Sequence, residues 1–262
     1  ETIDVKVNTN NTTTVSAKII SLSKEAGEWI SQFLIYHHKL TPQGIRSLGF
    51  DVKNISNGFR FKFIKNGTEY EDVLKLRFTA YKDAKKVADG KTYKDMAMVM
   101  DPVSRILVVY HGDRLVGSVA IAFPPNEKVQ LDTESGFKNG YPKKIPPKTD
   151  LVEISRLCVD PEYQKTDIFK RLLEYIYKTA HCGERSYFLT ASDDKLWPLY
   201  KKLGFRKLKM SYDHPFLAGV KHHMIIASTN TPDRALRINP LVWMFMWADM
   251  SNFLHDRKIV KR

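Results

Sequence analysis

The sequence has little cysteine, no long apolar run and no internal repeat. Its two cysteines, Cys158 and Cys182, are too few for a disulfide framework and lack the spacing of a metal-binding set. Cys158 lies in an apolar strand-like run, where an inert buried thiol is expected, so a reducing, cytoplasmic setting fits. No hydrophobic stretch is long enough to span a bilayer. Residues Glu1 to Asn11 show no signal-peptide pattern, and the chain opens on Glu, so further sequence upstream is expected. The adjacent pairs His37-His38 and His222-His223 do not suggest a metal site. Neighbours on a strand point to opposite faces, so no resident metal is expected.

Hydrophobic residues make up 43% of the 262, enough for a packed core, and the formal net charge is +13. Such a charge attracts acidic partners: nucleic acid, an anionic membrane, a phosphorylated cofactor or an acidic carrier protein. No interleaving of aromatic and basic residues indicates RNA binding, and nucleic acid is not expected as a partner.

The pattern along the chain predicts an N-terminal helical extension over 1–58 and a main domain over 59–262. Residues 8–14 are polar and of low complexity, and read as mobile. Ser23 reads as an N-cap, with Trp29, Ile30, Phe33, Leu34 and Ile35 as the apolar face behind it. Thr41-Pro42 opens a short second helix that Gly49 ends. From Phe59 the order is strand, helix (70–87), two strands joined at His111-Gly112-Asp113, a Pro/Gly/Lys-rich loop (124–150), strand (151–159), a helix capped by Thr166, strand (187–190), a short helix (196–203) and two more strands. This predicts an α/β fold whose mixed, mostly antiparallel sheet is flanked by helices. Pro240 opens a last helix. Its run Leu241-Val242-Trp243-Met244-Phe245-Met246-Trp247 is read as core, with an acyl-chain pocket or a peripheral membrane contact as alternatives.

Two motifs sit in a telling order. Leu199-Tyr200-Lys201-Lys202-Leu203-Gly204-Phe205-Arg206 resembles the late signature of GNAT acyltransferases. Glu153-Ile154-Ser155-Arg156-Leu157-Cys158-Val159-Asp160-Pro161 resembles their central strand. The Glu-x-Ser-Arg element is similar to acyl-homoserine-lactone synthases and N-acyl amino acid synthases, as is Leu76-Arg77-Phe78-Thr79-Ala80-Tyr81. Asp101 falls where those families carry an acid. The lactone synthases carry an arginine in the third strand; here Val119-Ala120-Ile121 stands instead, which favours the amino acid synthases.

The resemblance implies an enzyme that moves an acyl group from a thioester to an amine. It implies Glu153 as proton acceptor and Tyr200 as the acid protonating the leaving thiolate. Arg77, Tyr81, Asp101, Ser155 and Arg156 would bind substrate or the acyl-pantetheine arm. Backbone N–H groups at Leu157, Cys158 and Val159 would polarise the thioester carbonyl.

Acetyl-CoA-using members carry Gln/Arg-x-x-Gly-x-Gly/Ala after the central strand, which lets backbone N–H groups reach a pyrophosphate. Here the run is Gln164-Lys165-Thr166-Asp167-Ile168-Phe169. An acyl-phosphopantetheine donor on acyl carrier protein is therefore expected, with acyl-CoA as the alternative and no permanently bound cofactor. Lys143, Lys144 and Lys148 are candidate contacts for such a carrier, and a small amine or amino acid is the expected acceptor. The rival readings are an acetyl-CoA-dependent N-acetyltransferase and a non-catalytic GNAT-shaped binding module.

Overall fold

The computed structural model describes residues 3–7, 13–17, 23–37, 40–50, 52, 55, 58–214 and 220–259. One sheet is built from seven strands: β3 (Arg60–Phe63), β4 (Ser104–His111), β5 (Arg114–Ala122), β6 (Leu151–Val159), β7 (Tyr187–Ser192), β8 (Arg206–Asp213) and β9 (Lys221–Ser228). They lie side by side in the order β3-β4-β5-β6-β7-β9-β8. All neighbours run antiparallel except β6 and β7. This is the mixed sheet the motif order predicts.

β4 and β5 read as almost unbroken apolar runs because helices cover both of their faces. Leu107, Val109, Val119 and Ile121 pack with Ile168, Leu172 and Ile176 of α4 (Ile168–Cys182). Ile106, Val108 and Ala120 point the other way, toward Val73 of α3 (Gly67–Asp83). Asn66 caps α3, its side chain accepting the Glu69 N–H at 2.9 Å. The helix thus begins before residue 70. α5 (Trp197–Lys202) follows β7.

The N-terminal region differs from expectation. A two-stranded hairpin, β1 (Ile3–Val7) and β2 (Thr13–Ala17), precedes the helices α1 (Lys24–Tyr36) and α2 (Pro42–Ser47). Of the run read as mobile, residues 8–12 lie outside the described residues, and 13 and 14 open β2. Ser23 and Thr41 cap α1 and α2 as expected. The predicted apolar face of α1 is only partly covered: Ile35 is buried, whereas Trp29 and Phe33 are exposed. His38 lies outside the described residues. Ile35, Ile45, Val52 and Ile55 join the same apolar cluster as β4–β6 and α4. His111 ties the two regions together, with its ring nitrogens on Tyr163 Oη (2.7 Å) and the Ile35 carbonyl (2.6 Å).

The C-terminal run is shorter in helix than expected and not wholly core. It forms α6 (Thr231–Ile238), α7 (Pro240–Met246) and α8 (Ser251–Asp256). Met246 and Trp247 are buried, while Leu241, Met244 and Phe245 face outward. A seven-residue helix lying on a surface can bury only one of its sides. No described helix is long and apolar enough to cross a membrane.

Candidate active site

Two irregularities of β6 create the site. The first is a β-bulge. Ser118 pairs with Cys158 and Ala120 with Ser155, so Val119 alone faces both Arg156 and Leu157. Arg156 takes the left-handed conformation, φ 53°, which a residue with a side chain adopts only when its surroundings hold it there. The extra residue reverses the alternation of the strand. Val152 and Ile154 pack toward α4, yet Cys158 packs against Leu76 and Ala80 of α3. Arg156 is turned to the α3 side, its guanidinium 5.8 Å from the Tyr81 ring centre.

The second irregularity is a splay. β6 and β7 pair only over Leu151–Glu153 and Tyr187–Leu189. Beyond that point β7 keeps β9 along its whole length, and β6 from Ile154 onward has no β7 partner. A cavity of about 100 Å³ opens in the gap. Its walls include Ser155, Arg156, Leu157, Thr190 and Tyr200, with Tyr81 of α3 on one side and Tyr212, His214 and His222 on another.

The long loop between β5 and β6 supplies the remaining wall. Asp132 opens a 3-10 turn, Thr133–Gly136, and Asp132 and Thr133 line the cavity. Gly136 lies flat on the Tyr212 ring; a Cβ there would overlap the ring atoms, so the turn reaches this position only with glycine. Glu153 holds the turn from below. Its carboxylate accepts the Asp132 N–H (2.7 Å), the Thr133 N–H (2.8 Å) and the Thr133 hydroxyl (2.7 Å). Tyr141 Oη lies 2.7 Å from the same Thr133 hydroxyl.

The charges in this wall are unequal. Glu153 is wholly buried and is not among the residues lining the cavity. Burial first, and then the charge of Asp132, push its pKa up to about 7, against the three hydrogen bonds it accepts. Asp132 is shifted upward too, chiefly by burial, with Arg156 opposing. The Arg156 Nη2 lies 3.8 Å from Asp132 Oδ1, too far for a hydrogen bond. Tyr200 is raised to about 12, by burial and then by the charges of Tyr81 and Asp193, so it keeps its proton at neutral pH. Burial lowers His222 and takes His214 down to about 3, so both rings are neutral. His222 sets its Nδ1 on the Val220 carbonyl at 2.9 Å. His223 points to the other face, its Nε2 3.0 Å from Asp194, as strand alternation requires.

Of the residues expected in the site, Tyr81, Ser155, Arg156, Leu157 and Tyr200 meet at the cavity. Cys158 and Val159 lie beyond its lining. Cys158 is buried, its Sγ 3.3 Å from Ser118 Oγ, and burial raises its pKa. Arg77 and Asp101 are spent on each other: Arg77 donates to both Asp101 oxygens (2.6 and 2.9 Å), and Tyr70 Oη and the Met98 N–H also donate to that carboxylate. Neither lines the cavity. Asp132, Thr133, Tyr212 and His214 are not among the residues the sequence points to. They come from a loop without periodicity and from a strand end, and no motif marks them.

The start of α4 also departs from expectation. Asp167 occupies its cap position without a side-chain capping bond, while the Thr166 hydroxyl donates to the Tyr163 carbonyl (2.8 Å) and accepts the Ile168 N–H at a long 3.5 Å. Asp167 Oδ1 accepts the Ile55 N–H at 2.9 Å. Arg46 of α2 donates to the Lys165 carbonyl (3.1 Å) and to that of Val52 (3.0 Å). Lys148 is not a free loop lysine either. It is buried, its Nζ donating to Glu134 (2.6 Å) and to the Val129 carbonyl (2.9 Å). Lys143 and Lys144 do face outward, along a groove shared with Arg206, Lys207 and Lys209.

The model of the family described as N-acyl amino acid synthase FeeM matches residues 72–226. Among solved structures, the chain resembles FeeM, an N-acyl amino acid synthase from uncultured soil microbes. The two share 15% identity, the match covers 72% of this chain and 98% of that one, and the TM-score is 0.51. A GNAT-family acetyltransferase from Streptococcus pneumoniae is 10% identical, covering 65% and 98%, with TM-score 0.43. An N-acetylglutamate synthase from Neisseria gonorrhoeae, complexed with coenzyme A and N-acetyl-glutamate, is 14% identical, covering 65% and 35%, also with TM-score 0.43. No curated protein matches at the level of sequence.

Proposed function

Because the chain belongs to the N-acyl amino acid synthase FeeM family of acyltransferases, we propose that it moves a long acyl chain from acyl carrier protein to the amine of an amino acid in the cytoplasm. The acyl-pantetheine arm enters the splay between β6 and β7, where strand edges without a ladder partner can bond its amides. N–H groups near Leu157 meet the oxygen of the thioester carbonyl as it gains charge. Tyr200, protonated at neutral pH, supplies the proton that the leaving thiolate takes up. Two cations line the cavity; Lys86 is bound to Asp193, which leaves Arg156 to meet an amino acid carboxylate.

The observation that carries the choice of donor is the set of contacts made at the start of α4. Coenzyme A would need backbone N–H groups there for its pyrophosphate. In this chain Asp167 places a carboxylate at that turn and uses it to hold Ile55, while Arg46 clasps Lys165 from α2. Losing even two charge-assisted hydrogen bonds, each worth roughly 1.5–3 kcal/mol, weakens coenzyme A by orders of magnitude. A pantetheine arm on a carrier protein has no pyrophosphate to lose, and the groove bearing Lys143 and Lys144 suits an acidic carrier.

The test is kcat/KM for one acyl chain presented on carrier protein and on coenzyme A, with amides identified by mass spectrometry. The carrier-bound donor is expected to be better by about a hundredfold or more. Equal efficiency on the two donors refutes carrier dependence.

A further inference from the structure

We propose that Asp132 is the catalytic proton acceptor for the attacking amine, and that Glu153 is the positioning residue that presents it. The inference rests on the reading of the chain as an amine acyltransferase and names the group that reading lacks. Glu153, the acid of the motif, is sealed beneath the Thr133–Gly136 turn. Both of its oxygens are turned to the donors of Asp132 and Thr133. A carboxylate so placed fixes a loop; it does not meet a substrate. What it fixes is Asp132, whose side chain reaches the cavity that Arg156, Tyr81 and Tyr200 also line.

Asp132 has the surroundings a base requires. Its side chain is 13% exposed, and the cation beside it, Arg156, stands off at 3.8 Å. Among the described residues, a carboxylate held this way has no close partner of its own and can take one from a ligand. The groups facing it are Arg156 and Glu153 of β6, Tyr212 of β8, His222 of β9, and, further off, Arg77 of α3 and Asp101. Burial and the charge of Asp101 raise the affinity of Asp132 for a proton, while Arg156 and Arg77 temper it. The combination of Asp132 and Arg156 also fits an amino acid zwitterion. The ammonium would go to Asp132 and the carboxylate to Arg156, each replacing half of a pair that is too long to satisfy either partner. His222 shares the cavity, but its Nδ1 is set on the Val220 carbonyl and its neutral ring carries no charge to hold an ammonium.

In the proposed step the ammonium gives a proton to Asp132 and becomes a free amine. Its nitrogen forms the C–N bond at the thioester carbonyl, the C–S bond breaks, and Tyr200 gives its proton to the thiolate and takes the second nitrogen proton in its place. Asp132 then returns its proton to water.

The test uses the full chain, palmitoyl carrier protein and a mixture of the proteinogenic amino acids; the preferred acceptor is then taken through a pH profile. With Asp132 as base, the reactive form pairs an ionised Asp132 with a protonated amine. The wild-type kcat/KM then has a plateau between the two ionisations. Asp132→Asn is expected to lower kcat/KM at neutral pH by about a hundredfold or more and to abolish the plateau, the rate climbing with pH toward the ionisation of the amine itself. Asp132→Glu keeps a base and moves the acid limb; it decides the matter if the Asn variant fails to fold. A D132N rate within about threefold of wild type, or an acid limb that D132E leaves in place, overturns the inference. A wild-type chain that acylates no amino acid from either carrier protein or coenzyme A overturns the acyltransfer reading, and this inference with it.

Discussion

Two arginine–aspartate pairs in this molecule show how differently the same chemistry can be used. Arg77 and Asp101 close on each other with two short bonds, Tyr70 and the Met98 N–H complete the carboxylate, and the arginine has no exposed surface. Arg156 and Asp132 stand 3.8 Å apart at the wall of a cavity. Arg156 is presented by a bulge in a left-handed conformation, and Asp132 by a loop that Glu153 must hold in place. The first pair is finished, its carboxylate fully met by donors. The second is left incomplete, and the structure spends strain and buried hydrogen bonds to keep it so. On the role proposed for Asp132, satisfaction of the carboxylate separates structure from chemistry better than burial does.

The largest effect should come from breaking the closed pair. Asp101→Asn strands the Arg77 charge in the interior and is expected to cost about 3–5 kcal/mol, read as a fall in the urea midpoint with an unchanged slope. Activity should fall only in proportion to the unfolded fraction. A turnover loss in fully folded D101N would give this pair a direct part in the chemistry.

Next is Glu153, which joins the two halves of the open site. Glu153→Gln can still accept from Thr133, but its amide nitrogen then confronts the Asp132 N–H, leaving a buried donor unmet. Turnover should drop by about a hundredfold, and stability by about 1–3 kcal/mol. The joint loss is the signature of a positioning group. Turnover lost with stability untouched would instead argue that Glu153 handles the proton itself.

How much of this is legible in the sequence differs between the two pairs. Resemblance picks out Arg77 and Asp101 but not their mutual closure, because nothing in one sequence tells a substrate contact from an internal bond. Glu153 and Arg156 are readable as near neighbours on a strand. Strict alternation would separate them, and the bulge that returns Arg156 to the Glu153 side depends on tertiary packing around Val119, not on any turn residue. Asp132 lies in a loop of mixed Pro, Gly and Lys, where no period gives a side chain a direction. The order of strands and helices is readable, since β4 and β5 are continuous apolar runs and α4 has a clear face. The β1–β2 hairpin, absent from the expected order, does carry a signal: Ile3-Asp4-Val5-Lys6-Val7 alternates as a strand does.

The subtlest difference between the pairs lies in how stability depends on pH. Asp101 is surrounded by donors, while Glu153 and Asp132 are two acids buried side by side. Glu153 has a folded pKa of about 7, above its ordinary value of 4.5, first from burial and then from Asp132. Asp132 is shifted in the same direction. An acid whose pKa is raised by folding holds more protons in the folded than in the unfolded chain between those two values. Its contribution is therefore fully present below about pH 4.5 and is lost as pH rises through about 7. Wild-type stability should carry a component that declines across this window, measurable as a falling Tm. In Asp132→Asn one acid is gone and the remaining carboxylate loses its nearest negative neighbour, so the decline should shrink and end at lower pH. Because this substitution leaves the backbone N–H to Glu153 in place, stability near pH 7 should rise slightly or hold, even as turnover collapses. A D132N chain whose Tm falls across the window as steeply as wild type would show that the two acids do not share the site's charge.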